Sequence, residues 1–127
     1  MIGDIVVPRL KLQIDSLFEP GEAELTRDAI KRFAKVAVKI GAFVQNFSPS
    51  KLLVEGHTDA DGDPESNREL SKRRAETIRS YLIDAYDYIG ADMIEARGYG
   101  EQRPIAPNDT PENKARNRRI EIIAWGF

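Results

Sequence analysis

Leu10, Leu12 and Ile14 alternate with Lys11, Gln13 and Asp15. That period of two predicts a strand with one buried face. Leu25, Ala29, Phe33, Val36, Ala37, Ile40, Val44 and Phe47 then recur at helical spacing. They predict one long helix over residues 22–46, weakened at Gly41 and ended by Ser48-Pro49-Ser50. Leu52-Leu53-Val54 is a short apolar run and reads as a buried second strand over residues 51–56. Ser66 with Glu69 three positions on fits a capping box, so a second helix is expected over residues 67–86. Its core face is Leu70, Ala75, Ile78, Leu82 and Ala85, and Arg68, Lys72, Arg73 and Arg79 form a solvated face. Ile94, Ala96 and Gly98 alternate with Glu95, Arg97 and Tyr99, a third strand. Residues 100–116 read as a loop with one helical turn over 110–115. Ile120, Ile122 and Ala124 mark one face of a last strand over 119–125.

The order β-α-β-α-β-β predicts an α+β sandwich, with helices packed on a mixed four-stranded sheet. Residues 1–9 show no period and contain Pro8, so they read as a lead-in. Residues 10–127 read as one domain, since the 127-residue chain has room for one core.

Composition narrows the function classes. The net charge of −2 gives no pull toward nucleic acid. With no cysteine, disulfides and thiol catalysis are excluded. No apolar run is long enough to span a bilayer, and Met1-Ile2-Gly3-Asp4 lacks the pattern of a signal peptide.

The chemistry concentrates in one segment. Gly56-His57-Thr58-Asp59-Ala60-Asp61-Gly62-Asp63 reads as a strand end and an acidic loop. Helical spacing then puts Asn67, Ser71 and Arg74 on one stripe. Asp59 and Arg74 could face each other across a cleft. Such a pair suits a zwitterion, carboxylate to its ammonium and guanidinium to its carboxylate. A salt bridge between the two is the structural alternative. Both are expected on a loop or helix rim, outside the apolar stripe. Asn67 either serves the first turn of the helix or holds the acidic loop. His57 is the only histidine, and a lone histidine beside a turn reads as structural. Asp59-x-Asp61-x-Asp63 fails as a calcium loop, because Pro64 and Leu70 stand where Gly and Glu are needed. Asp61 and Asp63 keep at most a weak cation site. No metal or cofactor is expected. No nucleophilic triad or phosphate loop stands out.

Gly-His-Thr-Asp, Asn67 and Leu70-Ser71-x-x-Arg74-Ala75 resemble the signature of the OmpA-like C-terminal domain. The resemblance extends to Leu17-Phe18-Glu19-Pro20-Gly21, to Gly98-Tyr99-Gly100-Glu101 and to Asn117-Arg118-Arg119-Ile120-Glu121. That family includes outer-membrane proteins, peptidoglycan-associated lipoproteins and flagellar stator proteins. The resemblance implies non-covalent binding of peptidoglycan at the diaminopimelate of the stem peptide, without turnover. It implies that Asp59 takes the ammonium and Arg74 the neighbouring carboxylate. Thr58, Leu70 and Phe18 then line the pocket, and Asn67, Asn117 and Arg118 are further candidates. Asn113-Lys114 departs from the family's Gly-Arg, so the bidentate fork is lost there. The resemblance also implies the periplasm, with membrane contact only through parent segments that carry the export signal or anchor; Met1 is then read as an added initiator. The alternative is a structural or dimerisation domain of an envelope complex, acting through the long first helix. Exposed apolar residues on the Phe43–Phe47 side would favour it. A peptidoglycan hydrolase ranks last.

Overall fold

In the computed structural model, which describes residues 7–127, alternation and helical spacing resolve into a four-stranded sheet carrying two long helices. Residues 1–6 of the expected lead-in lie outside the described residues. The strands are β1 (Arg9–Asp15), β2 (Ser50–His57), β3 (Ile94–Gly100) and β4 (Arg119–Gly126). The helices are α1 (Arg27–Asn46), α2 (Pro64–Ala85) and the short α3 (Pro111–Asn117). Sheet order is β1-β4-β2-β3, with β4 antiparallel to both neighbours and β2 parallel to β3. The mixed α+β arrangement agrees with the order of elements expected from the sequence.

Both helices pack on the face formed by Leu10, Leu12, Leu52, Val54, Ile94, Ile120, Ile122 and Ala124. From α1 come Ala29, Phe33, Ala37, Ile40 and Val44; from α2 come Ala75, Ile78 and Leu82. Full burial of a side chain such as Phe33 or Ile78 contributes roughly 1.5–3 kcal/mol. Ala85, the last residue of α2, departs from the expected stripe and is exposed.

The helix starts differ most from the sequence reading. α1 begins at Arg27, not residue 22, because the Thr26 hydroxyl caps it by accepting from the Ala29 N–H at 3.1 Å. α2 begins at Pro64, not residue 67. The Asp63 carboxylate caps it, accepting from the Ser66 N–H at 2.9 Å, and Pro64 suits the first turn. The expected turn after residue 110 is α3, capped by Thr110. Gly41 does not interrupt α1. The rings of Tyr86 and Tyr88 pack there, each 2.8 Å from where a Cβ would stand.

One contact fixes α2 against the sheet. Gly56 and Gly98 are register partners on β2 and β3. A Cβ on Gly56 would stand 2.1 Å from the Ser71 carbonyl oxygen, and one on Gly98 would stand 2.3 Å from the Lys72 nitrogen. Helix backbone therefore lies directly on strand backbone. Ser71, fully buried, accepts the Gly100 N–H at 2.9 Å and locks the approach. Arg79, expected on a solvated face, instead donates to the Ile94 and Ala91 carbonyls and ties the turn before β3 to α2.

Candidate ligand-binding cleft

Where β2 and β4 reach the end of the sheet nearest the start of α2, the chain leaves a cleft of about 520 Å³. Phe18 and Gly21 stand on one rim, Thr58, Asp59 and Asp61 on another, and Asn67, Leu70, Arg74 and Arg118 complete the wall. The topology explains the convergence. β2 ends at His57 and delivers Thr58 and Asp59; β4 begins at Arg119 and delivers Arg118. The close helix-sheet approach then aims Asn67 and Arg74 inward from α2.

Asp59 is buried, and both of its carboxylate oxygens are engaged. Oδ1 accepts the Asp61 N–H at 3.0 Å, and Oδ2 accepts from Arg118 Nη1 at 2.6 Å. The ion pair expected as the structural alternative, Asp59 with Arg74, is not formed. Arg74 points its guanidinium at the loop before α1. Nε donates to the Glu22 carbonyl at 2.7 Å and Nη2 to the Glu19 carbonyl at 3.1 Å, with Cζ 5.2 Å from the Phe18 ring centroid. Nη1 has no partner among the described residues. Arg74 is 7% exposed, so it is not the rim residue that the sequence suggested. Burial, then the positive fields of Arg118 and Arg73, hold its guanidinium below the ordinary arginine value, against Asp59 and Glu22. The group remains cationic at neutral pH. Two guanidinium groups and one buried carboxylate give the inner wall a positive surplus that an entering anion relieves.

The other candidates divide. Asn67 holds the acidic loop, its amide donating to the Asp61 carbonyl at 2.8 Å. Thr58 lines the wall, but its N–H goes to the Gly100 carbonyl and its hydroxyl to the Asp59 carbonyl. Leu70 and Phe18 supply the apolar lining. Asn117 does not line the cleft. It is fully buried, accepts from Ile105 and Ala106, and donates to Ala106 and Asn108. Its amide folds the 105–108 loop, and every polar atom is used in doing so. Lys114 reaches across to Asp61 at 3.1 Å, and Asp63 is occupied as the α2 cap. The two acids weighed for a weak cation site are thus both engaged.

Period-two reading missed the other face of the sheet. Glu55, His57, Arg119 and Glu121 alternate with core residues and so look solvent-facing, yet all four are buried. Arg119 binds Glu121 at 2.7 Å and the Arg103 carbonyl at 2.9 Å, and Arg103 lies over Tyr99 at 3.7 Å. Tyr99 in turn stacks on His57. The paired spacings Glu-x-His in β2 and Arg-x-Glu in β4 are the signal that could have found this cluster. Glu55, His57 and Glu121 bring donor atoms within 4.8 Å of one another. Lys11, Arg119 and Arg103 already face the two carboxylates at 2.9, 2.7 and 3.9 Å. Three cations against two anions leave a divalent ion a positive surplus to enter.

His57 stays neutral there. Desolvation, then Arg119, lower its pKa to about 4, opposed by Glu121. Burial opposes ionisation of Glu121, but hydrogen bonds from Lys11 and Arg119 outweigh it and hold that carboxyl below its ordinary value. The unfolded chain protonates His57 near pH 6.5, the folded chain only near 4. Stability is therefore expected to fall by about 2–3 kcal/mol as pH drops through that window. Glu121 acts in the same direction at lower pH. Urea unfolding of the wild type and of His57→Gln at pH 7 and near pH 4.5 checks this. The variant should lose most of the slope, and an unchanged slope would assign it to other groups.

The OmpA family model matches residues 17–118. Outer membrane porin F of Pseudomonas aeruginosa is 34% identical over 112 residues, which cover 88% of this chain and 31% of that protein. The sodium-type flagellar protein MotY of Vibrio parahaemolyticus is 37% identical over 101 residues, 78% of this chain and 32% of that protein. The chain thus spans about a third of the length of these relatives. Among solved structures, the cell wall anchor of the T6SS from Pseudomonas aeruginosa superposes with a TM-score of 0.77 at 26% identity. The match covers 100% of this chain and 87% of that one. No helix among the described residues is long and apolar enough to cross a membrane.

Proposed function

Because the chain belongs to the OmpA family, we propose that its cleft binds peptidoglycan non-covalently at the diaminopimelate of the stem peptide. In this reading the domain works in the periplasm and ties a membrane-associated protein to the cell wall. The observation that carries it is the pairing of a buried carboxylate with guanidinium groups in one cleft, Asp59 beside Arg118 and Arg74. Diaminopimelate ends in an ammonium and a carboxylate on one carbon. Asp59 suits the first and Arg74 Nη1 the second. The Phe18 ring and Leu70 supply the partly desolvated walls that strengthen both contacts. The likeness to a solved cell wall anchor supports the same reading.

The test is co-sedimentation with purified sacculi. Binding should be reversible and should release no soluble muropeptide with time; accumulation of muropeptide would turn the reading toward hydrolysis. Selectivity gives a second expected result. A lysine-type stem peptide lacks the carboxylate that diaminopimelate carries beside its side-chain ammonium, so it forfeits one charge-assisted hydrogen bond of about 1.5–3 kcal/mol. Its affinity should be roughly ten- to hundredfold lower. Equal affinity for the two peptides would show that Arg74 does not read that carboxylate.

The dimerisation reading asks for an apolar outer face on α1. Phe43 is turned into the core and packs on Phe47 at a centroid distance of 4.9 Å. What α1 and its end leave outside are Ile30, Val38 and part of Phe47; of the Phe43–Phe47 side named in the sequence, only Phe47 is exposed among these.

A further inference from the structure

Arg118 stands in a position that makes it more than one more basic contact. Its Nη1 holds Asp59 Oδ2 at 2.6 Å, while the Asp61 N–H takes Oδ1. The Asp59 side chain is 10% exposed and that of Arg118 is 41% exposed. The carboxylate therefore sits at the bottom of the cleft with a cation over it, and that cation is the more exposed partner. An incoming ammonium and the Arg118 guanidinium compete for the same oxygen. Arg74 forms no ion pair with Asp59; its Nε and Nη2 are held by the loop carbonyls of Glu22 and Glu19. Lys114 is tied to Asp61.

We propose that Arg118 is a specificity gate: a ligand ammonium displaces it from Asp59, and a carboxylate on the same ligand recaptures it. This rests on the proposed reading of the cleft and goes beyond it by giving Arg118 opposite signs for two ligand classes. For a ligand with both groups, the bond lost to Asp59 is replaced by one to the ligand carboxylate, beside Arg74 Nη1. For a ligand with an ammonium alone, the lost bond is not replaced, and two guanidinium groups are left facing an added positive charge. Discrimination then arises from a cost imposed on the wrong ligand as well as from attraction to the right one.

The test compares two C-terminally amidated stem tripeptides that differ only in the third residue, meso-diaminopimelate with its side-chain carboxylate free or lysine, by calorimetric titration of the wild type, Arg118→Gln and Arg118→Lys. Arg118→Gln is expected to bind the lysine peptide more tightly than the wild type, on the order of fivefold for a half-exposed pair. It should bind the diaminopimelate peptide more weakly, so that the ratio between the two peptides collapses. Arg118→Lys keeps the cation without the planar fork and should fall between. Thermal melts of the three proteins accompany the titrations. If both peptides weaken together in Arg118→Gln, or neither changes, Arg118 is an ordinary contact or a structural group and the gate is overturned. If the folded wild type binds neither peptide, the reading of the cleft itself fails and takes the gate with it.

Discussion

Arg74→Ala is expected to weaken diaminopimelate binding by more than about a hundredfold and to lower the melting temperature in the same protein. The two effects have separate causes. Removing one partner from a desolvated charge contact in a binding site costs about 2–5 kcal/mol. The same side chain also clamps the Glu19–Glu22 loop through two carbonyls and covers the Phe18 ring. Losing those contacts should cost about 2 kcal/mol of folding stability, since the freed carbonyls lie near solvent and can rehydrate. For a domain of this size that is a drop of roughly 5–10 °C. Arg74→Lys sharpens the point. Lysine keeps the charge, but a single ammonium cannot hold two carbonyls and still offer a fork to the ligand. It should recover part of the stability and little of the binding. Sacculus pull-down on the folded fraction, with a melt on the same sample, measures both. Full wall binding by folded Arg74→Ala would remove Arg74 from the site and leave it only the loop clamp.

The second large effect lies away from the cleft. Gly56→Ala and Gly98→Ala each push a methyl group into helix backbone, against Ser71 and Lys72. A flexible side chain can step aside from such a clash; a peptide unit in the middle of α2 cannot without moving the helix. Overpacking of ordinary cores costs about 1–3 kcal/mol. Here at least about 4 kcal/mol is expected, a large share of the stability of a small domain. Because α2 carries Asn67 and Arg74, any variant that survives should also bind poorly. Chemical denaturation gives the first quantity and titration the second. A variant within about 1 kcal/mol of the wild type would show that α2 can lift off the sheet at little cost, contrary to the packing seen.

Apolar periodicity made the fold legible because the sheet has one core face. Leu10, Leu12, Ile120 and Ile122 alternate cleanly, and Ala29, Phe33, Ala37 and Ile40 keep their helical spacing. Boundaries were less legible where polar side chains decide them. Thr26 and Asp63 cap the helices, but neither stands out from neighbouring acids and hydroxyls until the chain has turned. The cleft was legible as a set of residues and not as a set of partnerships. Asp59, Arg74, Asn67, Leu70 and Phe18 do line one cleft. That Asp59 takes Arg118 depends on β4 starting beside the end of β2, a pairing between residues 59 apart. Spacing along one helix cannot report it. Asn117 misled for a related reason: its neighbour Arg118 faces the cleft, whereas one residue earlier the chain faces inward.

The register of β1 has a mechanical consequence. Arg9 pairs with Trp125 at one end of the sheet and Asp15 with Arg119 at the other, where Ser16, Leu17 and Phe18 border the cleft. A pull on the Arg9 end, resisted by a ligand held in the cleft, therefore runs along the strands and not across them. The bonds between β1 and β4 are then loaded together in shear, instead of opening one after another as a zipper would. Rupture under such a load is governed by the rate of unfolding and not by the equilibrium stability.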